Sequence, residues 1–128
     1  MNAFGEEVIV DNSDKAIAMA SERTNAVVND YTAAPVYFSE NNNGAHEWLI
    51  EFEKDPDDLE LFITELDKAL KNINSDYEAK RHKNIALRMP IVHKLPKGTL
   101  GGQHKVPRLS NDRQILEEIL TIKNIGPV

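Results

Sequence analysis

One segment, LGGQHKVPRLSNDRQ at residues 100–114, combines residue types that bind anions. Two adjacent glycines precede Lys105, Pro107 and Arg108 follow it, and the first carboxylate is Asp112. Glycine lets a backbone bend and approach a ligand closely, proline stiffens the chain, and both cations can contact phosphate oxygens. The segment therefore predicts an anion-binding loop. The alternative is a surface loop in which Lys105 and Arg108 are merely solvated.

This loop belongs to a basic third of an acidic chain. The 128 residues carry a formal net charge of -6. Residues 1–79 contain 18 acidic and 5 basic side chains, whereas residues 80–111 contain 8 basic side chains and no acidic one. We expect most acidic residues at helix and turn surfaces, where charge is solvated. The basic third needs a partner, either a phosphate or other polyanion, or an acidic surface on the same chain.

Residue spacing excludes several other chemistries. The glycines before Lys105 do not form G-x-x-x-x-G-K-[ST], and Val106 stands where a magnesium-binding hydroxyl would follow. The four histidines lack metal-ligand spacing, so we interpret each as an ordinary surface or strand residue and predict no metal site. Asp57 and Asp58 indicate a helix start rather than an acid/base pair, and no G-x-S-x-G nucleophile is present.

Size and composition indicate one domain. A chain of 128 residues with 41% apolar residues can bury a modest core of its own. It contains no apolar run of about 18 residues and no signal-peptide pattern, so we expect a soluble protein without a membrane partner. The absence of cysteine excludes a disulfide framework and a thiolate metal site. It also fits a reducing compartment, and the predicted location is cytoplasmic.

Periodicity predicts the elements that position the loop. Asn12 or Ser13 is expected to cap a first helix. Residues 26–39 are rich in β-branched and aromatic side chains, which predicts a strand that Pro35 interrupts or places at a sheet edge. Residues 46–53 alternate apolar and acidic side chains after a turn-forming run, so they predict the second strand of a hairpin.

The rest of the chain adds helices and one strand. Segment 55–58 combines a proline with acidic residues and predicts the start of the most regular helix. An S-x-x-E pattern at 75–78 predicts the cap of a short second helix. Residues 89–96 form a proline-bounded strand pattern, and Ser110 or Asn111 is expected to cap the last helix.

This order of elements predicts an α+β fold. A hairpin comes first, helices follow, and a third strand joins afterwards. We therefore expect a small mixed or antiparallel three-stranded sheet covered by helices.

Four segments extend over the second half of the chain in a characteristic order: NSDYEAKR at 74–81, MPIV at 89–92, PKGT at 96–99 and LGGQHKVPRLS at 100–110. Together they resemble the C-terminal region of the auxin-responsive-promoter family of acyl-acid amido synthetases, and the resemblance covers nearly the full chain. The patterns N-x-D-Y-x-x-K-R and G-G-Q-x-K-x-P-R are more specific in combination than either alone. The chain departs from the family where Thr99 joins Leu100 directly, since the family has an aromatic-rich stretch and a G-K pair there.

The resemblance implies that residues 1–128 are a single C-terminal lid domain of a longer adenylating enzyme, without its large N-terminal domain. In that family a carboxylic acid attacks the α-phosphorus of ATP, pyrophosphate leaves, and an amino acid then attacks the acyl-adenylate while the lid rotates between the two steps. The implied cofactors are ATP and Mg²⁺, bound mainly by the N-terminal domain. The implied partners are that domain, an acyl acid and an amino acid. The isolated chain is expected to be inactive.

The resemblance also implies roles for residues of the loop. Lys105 is the predicted catalytic residue, because a lysine on a glycine-bordered loop can stabilise the charge that develops on the α-phosphate. Gly101, Gly102, Gln103 and Arg108 are predicted to bind the cofactor. For Arg108, the alternative is that it anchors the loop on an acidic residue.

Three residues of the earlier motif, Tyr77, Lys80 and Arg81, can line the cleft between the two domains. For Tyr77 the alternative is packing against Trp48 or against the long helix predicted after residues 55–58.

A rival interpretation is a nucleic-acid-binding module that uses the basic stretch to follow phosphates. Residues 82–113 contain no Phe, Tyr or Trp, so the aromatic platform of a single-strand binder is missing and nucleic acid is an improbable partner. A freestanding interaction domain is the third alternative.

Overall fold

A mixed sheet with the strand order β1-β2-β3 forms the centre of the molecule. The computed structural model describes residues 1–40, 42–100 and 106–122. In these ranges β1 (Val27–Phe38) and β2 (Asn43–Lys54) form the predicted antiparallel hairpin, and β3 (Ile91–Leu95) runs parallel to β2. The sheet is therefore the mixed one of the two predicted alternatives, and the predicted α+β class is confirmed.

Four helices within the described ranges cover this sheet: α1 (Val10–Thr24), α2 (Leu59–Ile73), α3 (Ser75–Arg81) and α4 (Gln114–Ile122), with a 3₁₀ turn at His82–Asn84 after α3. Because side chains alternate along a strand, β2 presents one set of residues to α1 and α2 and the other set to α4. We call these two sides the α1/α2 face and the α4 face. None of the described helices is long and apolar enough to cross a membrane.

The α1/α2 face is an apolar core. Trp48, Ile50 and Phe52 of β2 are at most 3% exposed, and Phe52 meets Phe62 of α2 edge-on with 5.2 Å between ring centroids. Leu66 of α2 is also fully buried in this cluster. Burial of each large side chain contributes about 1.5–3 kcal/mol, so this face carries most of the apolar stabilisation.

The α4 face combines apolar and acidic residues. Leu49 of β2, Leu95 of β3 and Leu116 of α4 form its apolar cluster, and Leu100 joins them. Glu47 and Glu51 alternate with Leu49 along β2 and are buried on the same side. The loop motif that begins at Leu100 therefore starts on this face.

Strand β1 lies at one edge of the sheet, as Pro35 predicts, since proline has no N–H for a ladder. The register between β1 and β2 shifts twice between Val27 and Asp30. Such bulges bend a strand and increase its twist. The first residues of β1 consequently depart from the regular ladder on the side next to α1.

Three helix starts differ from the sequence predictions, those of α3, α1 and α4. The side chain of Asn74, not Ser75, accepts the N–H of Tyr77 at 2.8 Å and caps α3. Asn74 is held in the capping position because its amide also donates to two carbonyls of the N-terminal segment, those of residues 6 and 7. Helix α1 begins at Val10, before the predicted cap, and Asn12 instead accepts the N–H of Ile9.

The start of α4 was also predicted too early. The helix begins at Gln114, whose N–H donates to Asp112 Oδ1 at 2.7 Å. Asn111 accepts an N–H from Asn2 instead, and Ser110 accepts the N–H of Asp112. Both residues predicted to cap α4 therefore make other hydrogen bonds, Asn111 with the distant Asn2 and Ser110 within a local turn.

Candidate functional site

The middle of β2 places two carboxylates under the C-terminal segment. Glu47 is 0% exposed and Glu51 is 3% exposed. The expectation that acidic residues lie at the surface is wrong for this pair, because Leu100 and the first turns of α4 cover the α4 face. A buried carboxylate must be hydrogen-bonded or paired to stay ionised. Each of these two residues is therefore an anchor point for whatever covers it.

Leu100 fixes the start of the predicted anion-binding loop. Its side chain is 4% exposed within the apolar cluster of the α4 face. Its backbone N–H donates to Glu51 Oε1 at 2.8 Å. The direct junction of Thr99 to Leu100 is accommodated by a turn in which the Thr99 N–H donates to the Pro96 carbonyl at 3.2 Å. Apolar burial and a charge-assisted hydrogen bond together hold this end of the loop.

The far end of the loop is fixed to the outer edge of β1. The Ala33 N–H donates to the Arg108 carbonyl at 2.8 Å, and the Ser110 N–H donates to the Ala33 carbonyl at 3.0 Å. The hydroxyl of Thr32 donates to the Pro107 carbonyl at 2.7 Å. These bonds continue the sheet by one short bridge beyond its edge strand. Both ends of the loop are thus attached to neighbouring strands.

The side chain of Arg108 is held by acidic residues of the same chain. Its Nη1 lies 3.2 Å from Asp14 Oδ2, and its Nε lies 3.7 Å from Asp30 Oδ1. The guanidinium also stacks on Tyr31, with 5.7 Å from its carbon to the ring centroid. This is the anchoring geometry that the sequence left open for Arg108. Its contact with a cofactor phosphate stays a prediction.

The central part of the loop lies outside the described residues. Lys105, Gly101, Gly102 and Gln103 fall in this part, so their predicted roles stay predictions. The described residues on both sides nevertheless show where the two ends of the loop are attached. Leu100 is bonded to Glu51 of β2, and residues 107–110 are bonded to the edge of β1.

A buried ion cluster joins β2, β3 and α4. Glu47 Oε2 accepts from His93 Nε2 at 2.7 Å, and Glu47 Oε1 accepts from Arg113 Nη2 at 2.8 Å. Arg113 also pairs with Glu117 one turn further along α4. Burial alone would raise the pKa of the Glu47 carboxyl, but the bonds from His93 and Arg113 outweigh burial and lower it. The cluster therefore fixes the start of α4 over the sheet.

Tyr77 and Arg81 lie inside the domain. Tyr77 is 1% exposed and its hydroxyl donates to Asp67 Oδ1 of α2 at 2.7 Å. Arg81 forms a two-pronged ion pair with the same carboxylate, at 2.7 and 2.9 Å. Burial would raise the pKa of Asp67, but the bonds from Arg81 and Tyr77 lower it. For Tyr77 this is the packing alternative, against the long helix. The cleft role of this pair stays untested.

Lys80 lies next to the N-terminal segment of the chain, with its Cε beside Gly5. That segment is tied to β2 by Glu6, whose carboxylate accepts from His46 Nε2 at 2.6 Å and from two backbone N–H groups, including that of Phe4. Burial raises the pKa of Glu6, but these bonds outweigh it and hold the pKa at about 2. Lys80 therefore borders a firmly attached N-terminal segment.

Many residues of the basic third find partners on the acidic part of the chain. Among the described residues, four ion pairs are of this kind: Arg81 with Asp67, Lys94 with Asp55, Lys97 with Glu53, and Arg108 with Asp14. Acidic residues of the same chain therefore neutralise part of the basic third. This was one of the two predicted alternatives. Among the described residues, no group of three or more potential ligands can hold a metal ion.

A family model settles what this arrangement belongs to. Residues 11–114 match the model described as the GH3 family C-terminal domain. The chain belongs to this family. The match includes the loop, both of its anchors and the Glu47, His93 and Arg113 members of the buried ion cluster. It agrees with the resemblance that the sequence motifs indicated.

Solved structures similar to this GH3 C-terminal domain show the same fold. One, titled GH3.15 acyl acid amido synthetase, has a TM-score of 0.70 and 17% identity over 100% of this chain. Another, titled AtGH3.15 acyl acid amido synthetase in complex with 2,4-DB, has a TM-score of 0.70 and 15% identity over 94% of it. The chain spans about a quarter of each of those chains, 24% and 25%. No curated protein matches the sequence.

The residues that hold the GH3 C-terminal domain together at this site were missed from the sequence. Glu47, Glu51 and Asp67 are acidic residues on an alternating strand and on a helix, and their pattern is that of solvated charge. The position of β2 in the sheet is the signal that could have identified Glu47 and Glu51. A central strand has no solvent-facing side once helices cover both faces of the sheet. Strand order, however, follows from tertiary contacts.

Proposed function

We propose that this domain is the mobile C-terminal part of an ATP-dependent acyl-acid amido synthetase, which forms an acyl-adenylate and transfers the acyl group to an amino acid. The family match over residues 11–114 carries this proposal. ATP, Mg²⁺ and both substrates are held mainly by a large N-terminal domain of the same protein, in the cytoplasm. The solved chains, about four times as long as this one, are consistent with such a division.

In this proposal Lys105 acts at the α-phosphate. As the carboxylate attacks phosphorus, negative charge grows on the phosphate oxygens, and a lysine brought in by the loop stabilises that charge. Such a residue is useful only if its loop is precisely placed, because misplacement by about 1 Å removes much of its effect. The anchors at Leu100 and Arg108 support this role, since they attach both ends of the loop to the sheet.

The proposal also explains why the glycines and Arg108 border the lysine. Gly101 and Gly102 give the backbone freedom to bend between two fixed ends. Arg108 acts as the anchor of the loop through Asp14 and Asp30. Its second role, at a phosphate oxygen, requires that the N-terminal domain brings ATP to the exposed side of the guanidinium. Lys80, beside the N-terminal segment, faces the cleft between the domains.

The experiment compares two lysine variants of the full-length protein that carries this domain. Lys105→Ala should slow the adenylate-forming step by about 10²–10³-fold, the loss seen when one charge-stabilising donor is removed. Lys97→Ala is the matched control, because Lys97 is exposed and pairs only loosely with Glu53, at 3.6 Å. Single-turnover formation of acyl-adenylate is measured for both. An unchanged rate for Lys105→Ala removes this residue from the site.

A second measurement tests the division into two domains. The 128-residue chain alone should give no ATP–pyrophosphate exchange with any carboxylic acid, because the proposal assigns the nucleotide site to the other domain. Exchange by the isolated chain contradicts the proposal outright.

A further inference from the structure

The two ends of the loop that carries Lys105 return to the same apolar cluster on the α4 face. Leu100, the last described residue before the loop, is buried in this cluster, and Val106, the first one after it, packs against it. Val106 directly follows Lys105 in the sequence. The lysine is therefore the neighbour of a residue that is packed on the sheet.

Two buried side chains of the sheet hold the backbone at these ends. Glu51 of β2 is 3% exposed, and its Oε1 accepts the N–H of Leu100 at 2.8 Å. Thr32 of β1 is 2% exposed, and its hydroxyl donates to the carbonyl of Pro107 at 2.7 Å. One bond therefore restrains the chain just before the loop, and the other restrains it just after the loop.

Glu51 and Thr32 lie on the same face of the sheet, on neighbouring strands. Thr32 is opposite Leu49 in the pairing of β1 with β2, and Glu51 is two residues from Leu49 on β2. Such diagonal neighbours in an antiparallel pair are about 7–8 Å apart. The hairpin therefore sets the spacing between the two points at which the loop is held.

The two holding side chains are themselves restrained. The other carboxylate oxygen of Glu51, Oε2, accepts from Asn29 Nδ2 at 3.2 Å. Thr32 is β-branched, which limits its rotamers, and the next residue of β1, Ala33, exchanges two backbone hydrogen bonds with residues 108 and 110. Side chains that are locked by packing and hydrogen bonds can hold another group to within about 0.5 Å.

We propose that Glu51 and Thr32 are positioning residues for adenylate formation, which act by holding the two ends of the loop at fixed points of the sheet. This inference rests on the function proposed above, in which Lys105 stabilises charge at the α-phosphate. Glu51 and Thr32 act through the lysine and contact no substrate. Because misplacement of such a group by about 1 Å removes much of its effect, loss of either bond slows the chemical step and leaves substrate binding unaltered.

The test uses two conservative variants of the full-length protein that carries this domain. Glu51→Gln keeps the size of the side chain and removes the charge that strengthens the bond from Leu100. Thr32→Val replaces the donating hydroxyl by a methyl group. Single-turnover formation of acyl-adenylate should slow by about tenfold in each, while the ATP concentration that gives half of the maximal rate changes by less than about twofold. The acyl acid is whichever of acetate, benzoate and phenylacetate reacts fastest with the unaltered protein.

Matched variants separate the hydrogen bonds from packing and from general effects of substitution. Thr32→Ser keeps the hydroxyl and loses the methyl group, so it should retain most of the rate that Thr32→Val loses; the reverse order overturns the role of the bond. Glu53→Gln alters an exposed carboxylate on the same strand, and Thr64→Val removes an exposed hydroxyl that donates to a backbone carbonyl of α2. Both controls should keep the rate within about twofold. Urea denaturation verifies that each variant is folded under the assay conditions.

A double-mutant cycle with Lys105→Ala decides whether the two residues act through the lysine. In that background the loop no longer carries the group to be positioned, so Glu51→Gln and Thr32→Val should cause no further loss of rate. Losses that multiply with that of Lys105→Ala overturn the proposal. An undiminished rate in either single variant, while Lys105→Ala is slow, overturns it for that residue and leaves the proposed function intact. An undiminished rate in Lys105→Ala overturns the role proposed for this lysine and the positioning role with it.

Discussion

The two faces of β2 are stabilised in different ways. On the α1/α2 face, Trp48, Ile50 and Phe52 meet apolar residues of two long helices. On the α4 face, Leu49 lies between two buried carboxylates, Glu47 and Glu51, which receive donors from His93, Leu100 and Arg113 in segments after residue 90. The residues of β2 on the first face need only apolar surface from their covering helices. The second face needs specific donors at specific places.

This difference explains how the start of the predicted anion-binding loop is held. An apolar contact tolerates small shifts, because the hydrophobic effect has no direction. A buried carboxylate tolerates none, because it must keep its donors or lose its charge. Glu51 receives the N–H of Leu100, and Glu47 receives Arg113 at the start of α4. The α4 face therefore holds the loop by contacts that fix its position.

The largest expected loss of stability comes from a substitution on the α1/α2 face. Phe62→Ala removes a fully buried ring that meets Phe52 edge-on, and it should lower the free energy of unfolding by about 3–5 kcal/mol. Urea denaturation measures the change. Leu61→Ala, one residue earlier on the same helix, is the control because Leu61 is 42% exposed, and it should cost less than about 1 kcal/mol. Equal costs for the two variants would mean that α2 does not pack by this face.

A substitution on the α4 face should cause an intermediate loss of stability, and this loss should depend on pH. Glu47→Gln removes the charge that His93 and Arg113 surround, and it should cost about 2–3 kcal/mol near pH 7. The folded-state pKa of Glu47 lies below its usual value, so the stabilisation is fully present above about pH 4.5 and is lost as the pH falls through the folded pKa. The gap in stability between the original chain and the variant should therefore narrow in acid.

Urea titrations at several pH values measure this gap, with Glu53→Gln as the control. Glu53 follows on the same strand but is exposed, so its variant should differ by less than about 0.5 kcal/mol at every pH. A gap for Glu47→Gln that stays constant from pH 7 to pH 3 contradicts the role of its charge.

The smallest expected loss of stability comes from substitutions at the junction of α2 and α3. Asn74→Ala removes the cap of α3 and should cost about 1–2 kcal/mol. Ser75→Ala, at the position that the S-x-x-E pattern favours, should be nearly neutral, because Ser75 does not cap the helix. Thermal unfolding of both variants decides between them. The reverse order of effects would restore Ser75 as the cap.

Periodic apolar patterns were sufficient to predict the framework. The hairpin, the long helix α2, the short helix α3, strand β3 and the α+β class all follow from spacing and breaker residues, because these signals act locally. The loop motif and the family resemblance were likewise visible without the fold. The caps were less predictable, since Asn74 and Asn111 are recruited by the distant N-terminal segment. A distant partner leaves no trace in a local pattern.

The sequence by itself determined the elements, their apolar faces and the family, because each depends on residues that are near one another in the chain. Only the tertiary structure decided that Glu47, Glu51 and Asp67 are buried and that Arg108 rests on Asp14 and Asp30. It also decided that described cations of the basic third pair with acidic residues of the same chain. The physical reason is that a carboxylate is solvated or buried according to what covers it. The residues that cover it here are supplied by segments up to about 90 positions away, as for Arg108 and Asp14.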